Sequence, residues 1–265
     1  MKKIFYHLYL TDNHSWTYIF LDQFKDLHDS SIYNKVDEIH IIAVGSNEQV
    51  TILKGLTDYY SKLFGQSLYL HVAIKPNADE ELKQINHSKN LLTETLTLKT
   101  IWDLVKDKPN HQIMYFHSKG VTGIQRHLDP NSQDFGYERF VNYYYWRKFL
   151  DWSVIEKAEE AWKLLEQHDT VGTNFVSWPS MHYSGNCWWA NSDYIQTLND
   201  PTDNVWWQKY REEHPALLHL TPRLKDEMWI GSGKNPKMYS FVDHHAPPPV
   251  SNLGEILITR REYQQ

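Results

Sequence analysis

Apolar residues along this chain fall into short continuous runs, separated by longer stretches in which they recur at helical spacing. Lys3 to Leu10 predicts a first strand, and Thr11-Asp12-Asn13-His14-Ser15 predicts a turn capping a helix from Trp16 to about His28. Asp37 to Val44 (DEIHIIAV) predicts a second strand, ending at Gly45-Ser46-Asn47, with helical spacing from Glu48 to Leu63 after it. Leu68 to Ile74 predicts a third strand, closed by Lys75-Pro76-Asn77. From Glu80 to Val105 the pattern is helical again, with Leu91, Thr95, Leu98 and Trp102 on one face. Ile113 to Phe116 has no alternation and predicts a fourth strand buried on both sides. Strands alternating with helices imply an α/β fold with a mainly parallel sheet and helices on both faces.

The second half is less regular. Val121 to Tyr137 is polar and reads as a loop over the mouth of the sheet. Tyr137 to Leu150 predicts an aromatic helix and Ser153 to His168 a further one; Thr170 to Phe175 reads as a strand and Ser192 to Leu198 as a short helix. An aromatic helix is expected around Trp206 and Trp207, and a helix beginning near Asp226 and Glu227, where the dipole favours carboxylates without any catalytic duty. Tyr239 to His245 reads as a short strand ending in two imidazoles, and Ala246-Pro247-Pro248-Pro249 turns the tail onto the surface. No repeat or low-complexity linker divides the chain. The expected organisation is one domain over 1–265, with halves 1–120 and 121–245 and a tail at 246–265.

Composition narrows the class. With 265 residues, 41% of them hydrophobic, the chain is long enough to bury a substantial core. A formal charge of -6 argues against a nucleic-acid binder, which needs excess Lys and Arg to replace counterions. The single cysteine, Cys187, excludes an intramolecular disulfide and suits a reducing compartment. The apolar run in MKKIFYHLYLTDNHSW is short and interrupted by His7, so neither a signal peptide nor a membrane span is expected, and a cytoplasmic enzyme is. Eleven tryptophans and 17 tyrosines supply flat surfaces of the kind that stack on sugars, although most are expected in the core.

The fourth strand ends abruptly in His117-Ser118-Lys119-Gly120, at the carboxyl edge where open α/β sheets collect ligands. Lys119 can neutralise a phosphate as a point charge, and Gly120 allows close backbone approach or a positive φ. A basic surface turn is equally compatible with these four residues. A second informative stretch is Ser184-Gly185-Asn186-Cys187-Trp188-Trp189-Ala190-Asn191, where Asn186 offers a donor and an acceptor to hydroxyls and the tryptophans offer flat surface. His244 and His245 point to opposite faces of an extended segment, which is unsuited to a shared metal.

A strand ending in HSKG, the later SGNCWWANSDYI, and DEMWIG before a terminal histidine pair together resemble GT-A fold glycosyltransferases of the kind associated with bacterial capsule or lipopolysaccharide synthesis and with some large viruses. The resemblance implies a single GT-A-like, Rossmann-like domain and transfer of a sugar from a nucleotide-sugar donor to a hydroxyl of a glycan acceptor, in surface polysaccharide synthesis. By that resemblance Leu10, Thr11, Gly45 and Ser46 hold the nucleotide. His117, Ser118, Lys119 and Gly120, with His244 and His245, hold the diphosphate. Ser184, Gly185, Asn186, Trp188 and Trp189 hold the sugars. The chain departs from the family in having no Asp-X-Asp triplet. HSKG stands in its place, so fixed Lys and His charges are expected to do the work of the metal, with no cofactor required. A divalent cation such as Mn or Mg is the alternative, with His117 and Asp243 as ligands. Glu227 is the first candidate for general base and Asp226 the second, in an inverting transfer. Two other classes stay open: a non-catalytic carbohydrate-binding protein, and a metal-dependent hydrolase drawing on the 15 histidines, although no H-E-x-x-H spacing occurs.

Overall fold

A computed structural model describes residues 1–12, 14–74, 93–121, 137–219 and 224–242. The polar loop after Val121, the turn at Lys75-Pro76-Asn77, the expected helical stretch before Thr93, Asp243, His244, His245 and the proline-rich tail lie outside the described residues.

Strand β1 (Lys2–Tyr9) lies between β2 (Glu38–Gly45) and β4 (Gln112–His117), and β3 (Leu68–Ile74) extends the sheet beyond β2. All four are parallel, with Phe5 opposite both His40 and Tyr115. The interiors of β1, β2 and β4 are fully buried, as expected of runs without alternation. The other half of the sheet is built from β8 (Trp188–Asn191), β5 (Thr170–Gly172) and β9 (Met238–Ser240). The full order is β3-β2-β1-β4-β8-β5-β9, with β8 antiparallel to both its neighbours and β9 parallel to β5. A small ribbon pairs β6 (Phe175–Val176) with β7 (His182–Tyr183).

Helices cover both faces. On one side α1 (Ser15–Asp29) and α2 (Asn47–Phe64) bury Trp16, Phe20, Phe24, Leu53 and Phe64 against Ile4, Tyr6 and Leu8. On the other, α3 (Glu94–Val105) buries Leu98, Ile101 and Val105 against Phe5, Ile42 and Ile113. The ends of α2 follow local chemistry: the Ser46 side chain accepts from the Gln49 N–H at 3.4 Å, and Gly65 closes the helix at φ 67°. The turn expected to cap α1 supplies no side-chain cap, and that helix starts behind His14 at φ 59°. Helix α4 (Tyr137–Asp151) runs into a π turn (Trp152–Glu156) and then α5 (Ala158–Leu164), so the expected helix from Ser153 is broken into two kinds of turn. After β8 come α6 (Ser192–Ile195), α7 (Asn204–Glu213) and α8 (Leu224–Trp229). None of the described helices is long and apolar enough to cross a membrane.

The strand expected from Thr170 to Phe175 is shorter, because Thr173 and Asn174 leave the sheet between β5 and β6. β8 had no warning in the pattern. Its first three residues are buried and so show no alternation, with Trp188 packed into the α3 side and Trp189 into the α1 side.

Candidate functional site

The carboxyl ends of β1, β2 and β4 bring three loops together. Leu10 N–H donates to the Val44 carbonyl at 2.8 Å, and a Cβ added to Gly45 would lie 2.4 Å from Leu10 Cβ, so only glycine fits beside that leucine. Leu10 is thereby a core residue, and Ser46 is engaged as the α2 cap. Thr11 Oγ1 shares a 2.9 Å hydrogen bond with Ser15 Oγ, which in turn donates to the Val121 carbonyl at 3.5 Å, tying the β1 loop to the turn after β4.

That turn is ordered by its own backbone. Ser118 N–H donates to the His7 carbonyl at 3.1 Å, Ser118 Oγ accepts from Tyr9 N–H at 3.3 Å, and Val121 N–H closes the turn on the Ser118 carbonyl at 3.2 Å. Gly120 occupies the position of the turn that needs a positive φ, here 86°. Lys119 is not a solvated surface lysine: 9% of it is exposed, and its ammonium lies 3.9 Å from Glu227 Oε1 and 4.5 Å from the centre of the Trp146 ring.

Behind the lysine is a buried acid–imidazole–amide cluster. Glu94, in the first turn of α3 behind its Thr93 cap, accepts at Oε2 from Tyr115 Oη at 3.0 Å and from Asn186 Nδ2 at 2.9 Å. Its Oε1 lies 3.5 Å from His117 Nδ1. His117 Nε2 is 2.8 Å from the Gly185 carbonyl, which can only accept, so that nitrogen carries a proton. Asn186 also donates to the Asp226 carbonyl at 3.3 Å and accepts from Trp188 Nε1 at 2.9 Å. Asp226 takes hydroxyl hydrogen bonds from Thr95 at 2.5 Å and Thr93 at 3.2 Å.

The charges follow from burial and neighbours. Burial alone would raise Glu94, but His117, His7, Lys119 and the Asn186 amide outweigh it and hold the carboxyl at about 2. The Lys119 charge and the Asn186 donor persist when His117 is neutral, the form that burial favours against the pull of Glu94. Burial, then the Glu94 charge, pushes Asp226 up to about 7, with the two threonines pulling the other way. Two carboxyls of one cluster are thus driven apart, Glu94 ionised and Asp226 protonated below neutral pH.

Of the residues expected at the site, His117, Ser118, Lys119, Gly120, Gly185, Asn186, Asp226 and Glu227 meet in one neighbourhood. Ser184 is buried beside it, its N–H donating to the Asn174 carbonyl at 3.0 Å. The tryptophans are a correction. Trp188 and Trp189 are both fully buried, Trp189 with Nε1 on the Val154 carbonyl at 2.8 Å, so neither ring has a face free for a sugar. Trp188 acts on the cluster indirectly, by holding the Asn186 amide. Asp226 is also less suited to proton transfer than expected, being 5% exposed with both oxygens engaged, whereas Glu227 reaches the lysine and keeps partial exposure. Glu94 and Tyr115 were missed. Their only signals were an acid directly after a capping threonine, which reads as ordinary helix chemistry, and a tyrosine in an apolar strand. Among the described residues no group of three or more His, Cys, Asp or Glu is placed to hold a metal ion.

Fold and site together define an α/β protein whose mostly parallel sheet carries, at its carboxyl edge, a buried acid–imidazole–amide cluster with a nearly buried lysine and a partly exposed glutamate in front. The chain belongs to the family described as a domain of unknown function (DUF8361), whose model matches residues 5–236, a span holding every residue of this cluster. No curated protein matches it.

Proposed function

We propose that this chain is a GT-A-like glycosyltransferase that moves a sugar from a nucleoside-diphosphate donor to a hydroxyl of a glycan acceptor, in surface polysaccharide synthesis. The observation that carries the reading is the Lys119 ammonium at the carboxyl edge of the sheet, 3.9 Å from the Glu227 carboxylate. Parting of this ion pair would admit the donor between the two groups, leaving the ammonium to the departing diphosphate and the carboxylate to a hydroxyl arriving on the opposite face of the anomeric carbon. In the reaction the bond from the anomeric carbon to the diphosphate oxygen breaks, and its electron pair leaves with the diphosphate. Lys119 stabilises the charge that develops there, at a site already shielded from water. The acceptor oxygen forms the new bond and its proton passes to Glu227, in an inverting transfer.

Glu94 and Asn186 serve as framework in this reading. Asn186 links Glu94 to the backbone of Asp226, next to the base, so that the acid helix and the lysine turn keep a common geometry. Thr11, Gly45 and Ser46 lie at the ends of β1 and β2, where a nucleotide would be received, while Leu10 beneath them is core. The burial of Trp188 and Trp189 leaves the non-catalytic carbohydrate-binding alternative with less support.

The test is a thermal-shift screen of UDP, GDP, CDP and dTDP, each with and without Mn, because a ligand bound only by the native state raises its apparent stability. One nucleotide should stabilise the protein, and Lys119→Ala should abolish that shift. Glu227→Gln should keep the shift and suppress transfer. Equal indifference to all four nucleotides would refute the proposal.

A further inference from the structure

Directly beneath the HSKG turn lies a second polar cluster that the reaction above does not use. Gln23 of α1 donates from Nε2 to the His117 carbonyl at 3.2 Å and to Asp151 Oδ1 at 2.7 Å, so one amide joins the last residue of β4 to the last residue of α4. The surrounding charges are matched with one another. Arg147 donates to Asp22 at 3.1 Å, and Lys148 donates to Asp22 at 3.3 Å and also to Asp26. Among the described residues Asp151 has no hydrogen-bonded cation, and it is 2% exposed.

Four buried polar atoms here have no hydrogen-bond partner among the described residues: Asp151 Oδ2, Gln23 Oε1, Tyr6 Oη and Arg147 Nε. They come from β1, α1 and one face of α4, where Arg147 and Asp151 are four residues apart. Tyr6 and Arg147 are both close enough to act electrostatically on the Asp151 carboxyl or to feel its charge. Orphaned buried polar atoms are rare, and each calls for an explanation. These four have a common one. Two of them donate, the tyrosine hydroxyl and the guanidinium N–H, and two accept, the oxygens of the ionised carboxylate and of the amide. That is the complement of one water molecule, which accepts two hydrogen bonds and donates two.

We propose that a sealed water joins Asp151, Gln23, Tyr6 and Arg147, and that Asp151 acts through Gln23 as a positioning residue for the His117–Gly120 turn that presents Lys119. The functional half of this rests on the reading of Lys119 as the diphosphate-holding charge. Among the described residues, the groups that face Asp151 include Arg147 and Lys148 on its own helix, Gln23 and Asp26 on α1, Tyr6 on β1 and Cys187 before β8.

The experiment compares the full-length wild type with Gln23→Leu, Asp151→Leu and Asp151→Asn. It reads amide hydrogen exchange at Ser118 and Lys119 and the affinity for pyrophosphate, well below the melting temperature. Loss of the Gln23 link should speed exchange at those two amides and weaken pyrophosphate binding by about tenfold each, the worth of one good hydrogen bond. Asp151→Asn keeps the oxygen that accepts from Gln23 and should restore both to within about threefold of wild type. A merely structural role would lower stability and leave both readouts of the folded protein unmoved, and that result overturns the proposal. If the leucine variants do not fold, a high-resolution crystal structure of the wild type decides. A water within hydrogen-bonding distance of Asp151 Oδ2 and Tyr6 Oη supports the proposal, and direct packing that leaves no room for one overturns it. If Lys119→Ala binds pyrophosphate like wild type, the reading of the lysine falls, while the exchange rates still judge the positioning role on their own.

Discussion

Asp226→Asn should make the stability of the protein less sensitive than that of the wild type to a rise from acid to neutral pH. In the fold the Asp226 carboxyl is pushed from an ordinary 3.8 to about 7, chiefly by burial and then by the Glu94 carboxylate. A group whose folded value lies above its unfolded one keeps its proton longer in the native state. Stability is therefore greatest below the unfolded value and is lost as pH rises toward the folded value. The displacement of about three pH units, at about 1.4 kcal/mol for each, sets an upper limit of roughly 4 kcal/mol between pH 4 and pH 8. Asparagine has the same shape, still accepts from the Thr95 hydroxyl and cannot ionise. Asp151, also pushed up to about 7 by burial, titrates over the same range, but it does so in both proteins and cancels in the difference. Urea unfolding of wild type and variant at half-unit steps from pH 4.5 to 8.5 gives that difference directly. The variant should gain on the wild type up to about pH 7 and level off above it, by at least about 2 kcal/mol in total once solvent relaxation is allowed for. A difference flat to within about 0.5 kcal/mol would show that Asp226 ionises as an ordinary surface acid, and the electrostatic description of the cluster would fall with it.

Glu94→Gln tests the opposite sign. The Glu94 carboxyl is held at about 2 against an ordinary 4.5, so its contribution, up to about 3 kcal/mol, is present above pH 4.5 and lost as pH falls toward 2; the wild type and variant should converge in acid unfolding. Gly185→Ala should destabilise by about 2 kcal/mol or more, because φ is 95° there and the new Cβ would sit 2.7 Å from Leu150 Cδ1; thermal unfolding measures it, and an unchanged midpoint refutes the packing. Trp189→Ala should cost about 3–5 kcal/mol in chemical denaturation, as expected of a core ring and not of a ligand platform; a stable variant with weakened sugar binding would make the ring a ligand platform after all.

Much of the amino-terminal half was legible without coordinates. The runs Lys3 to Leu10, Asp37 to Val44 and Leu68 to Ile74 meet β1, β2 and β3 to within one residue at either end. β1 and β2, buried on both faces, write a different period into the chain from a helix buried on one, whereas β3 is the partly exposed edge of the sheet. The loop endings that matter, His117 to Gly120, were visible as an abrupt change from apolar to polar. Glycine at 120 signalled the positive φ that the turn requires.

Only the tertiary structure decided which residues meet. Glu94 and Asn186 are 92 positions apart, Thr95 and Asp226 131, and Gln23 and Asp151 128, separations over which no local pattern carries information. The short antiparallel strand β8 brings these parts together: it lies between β4 and β5, and its preceding turn aims Asn186 at Glu94. That strand also determined the fate of the two tryptophans. Successive side chains of a strand inside a covered sheet go to opposite cores, so the pair that looked in sequence like one aromatic surface became two buried anchors on two faces.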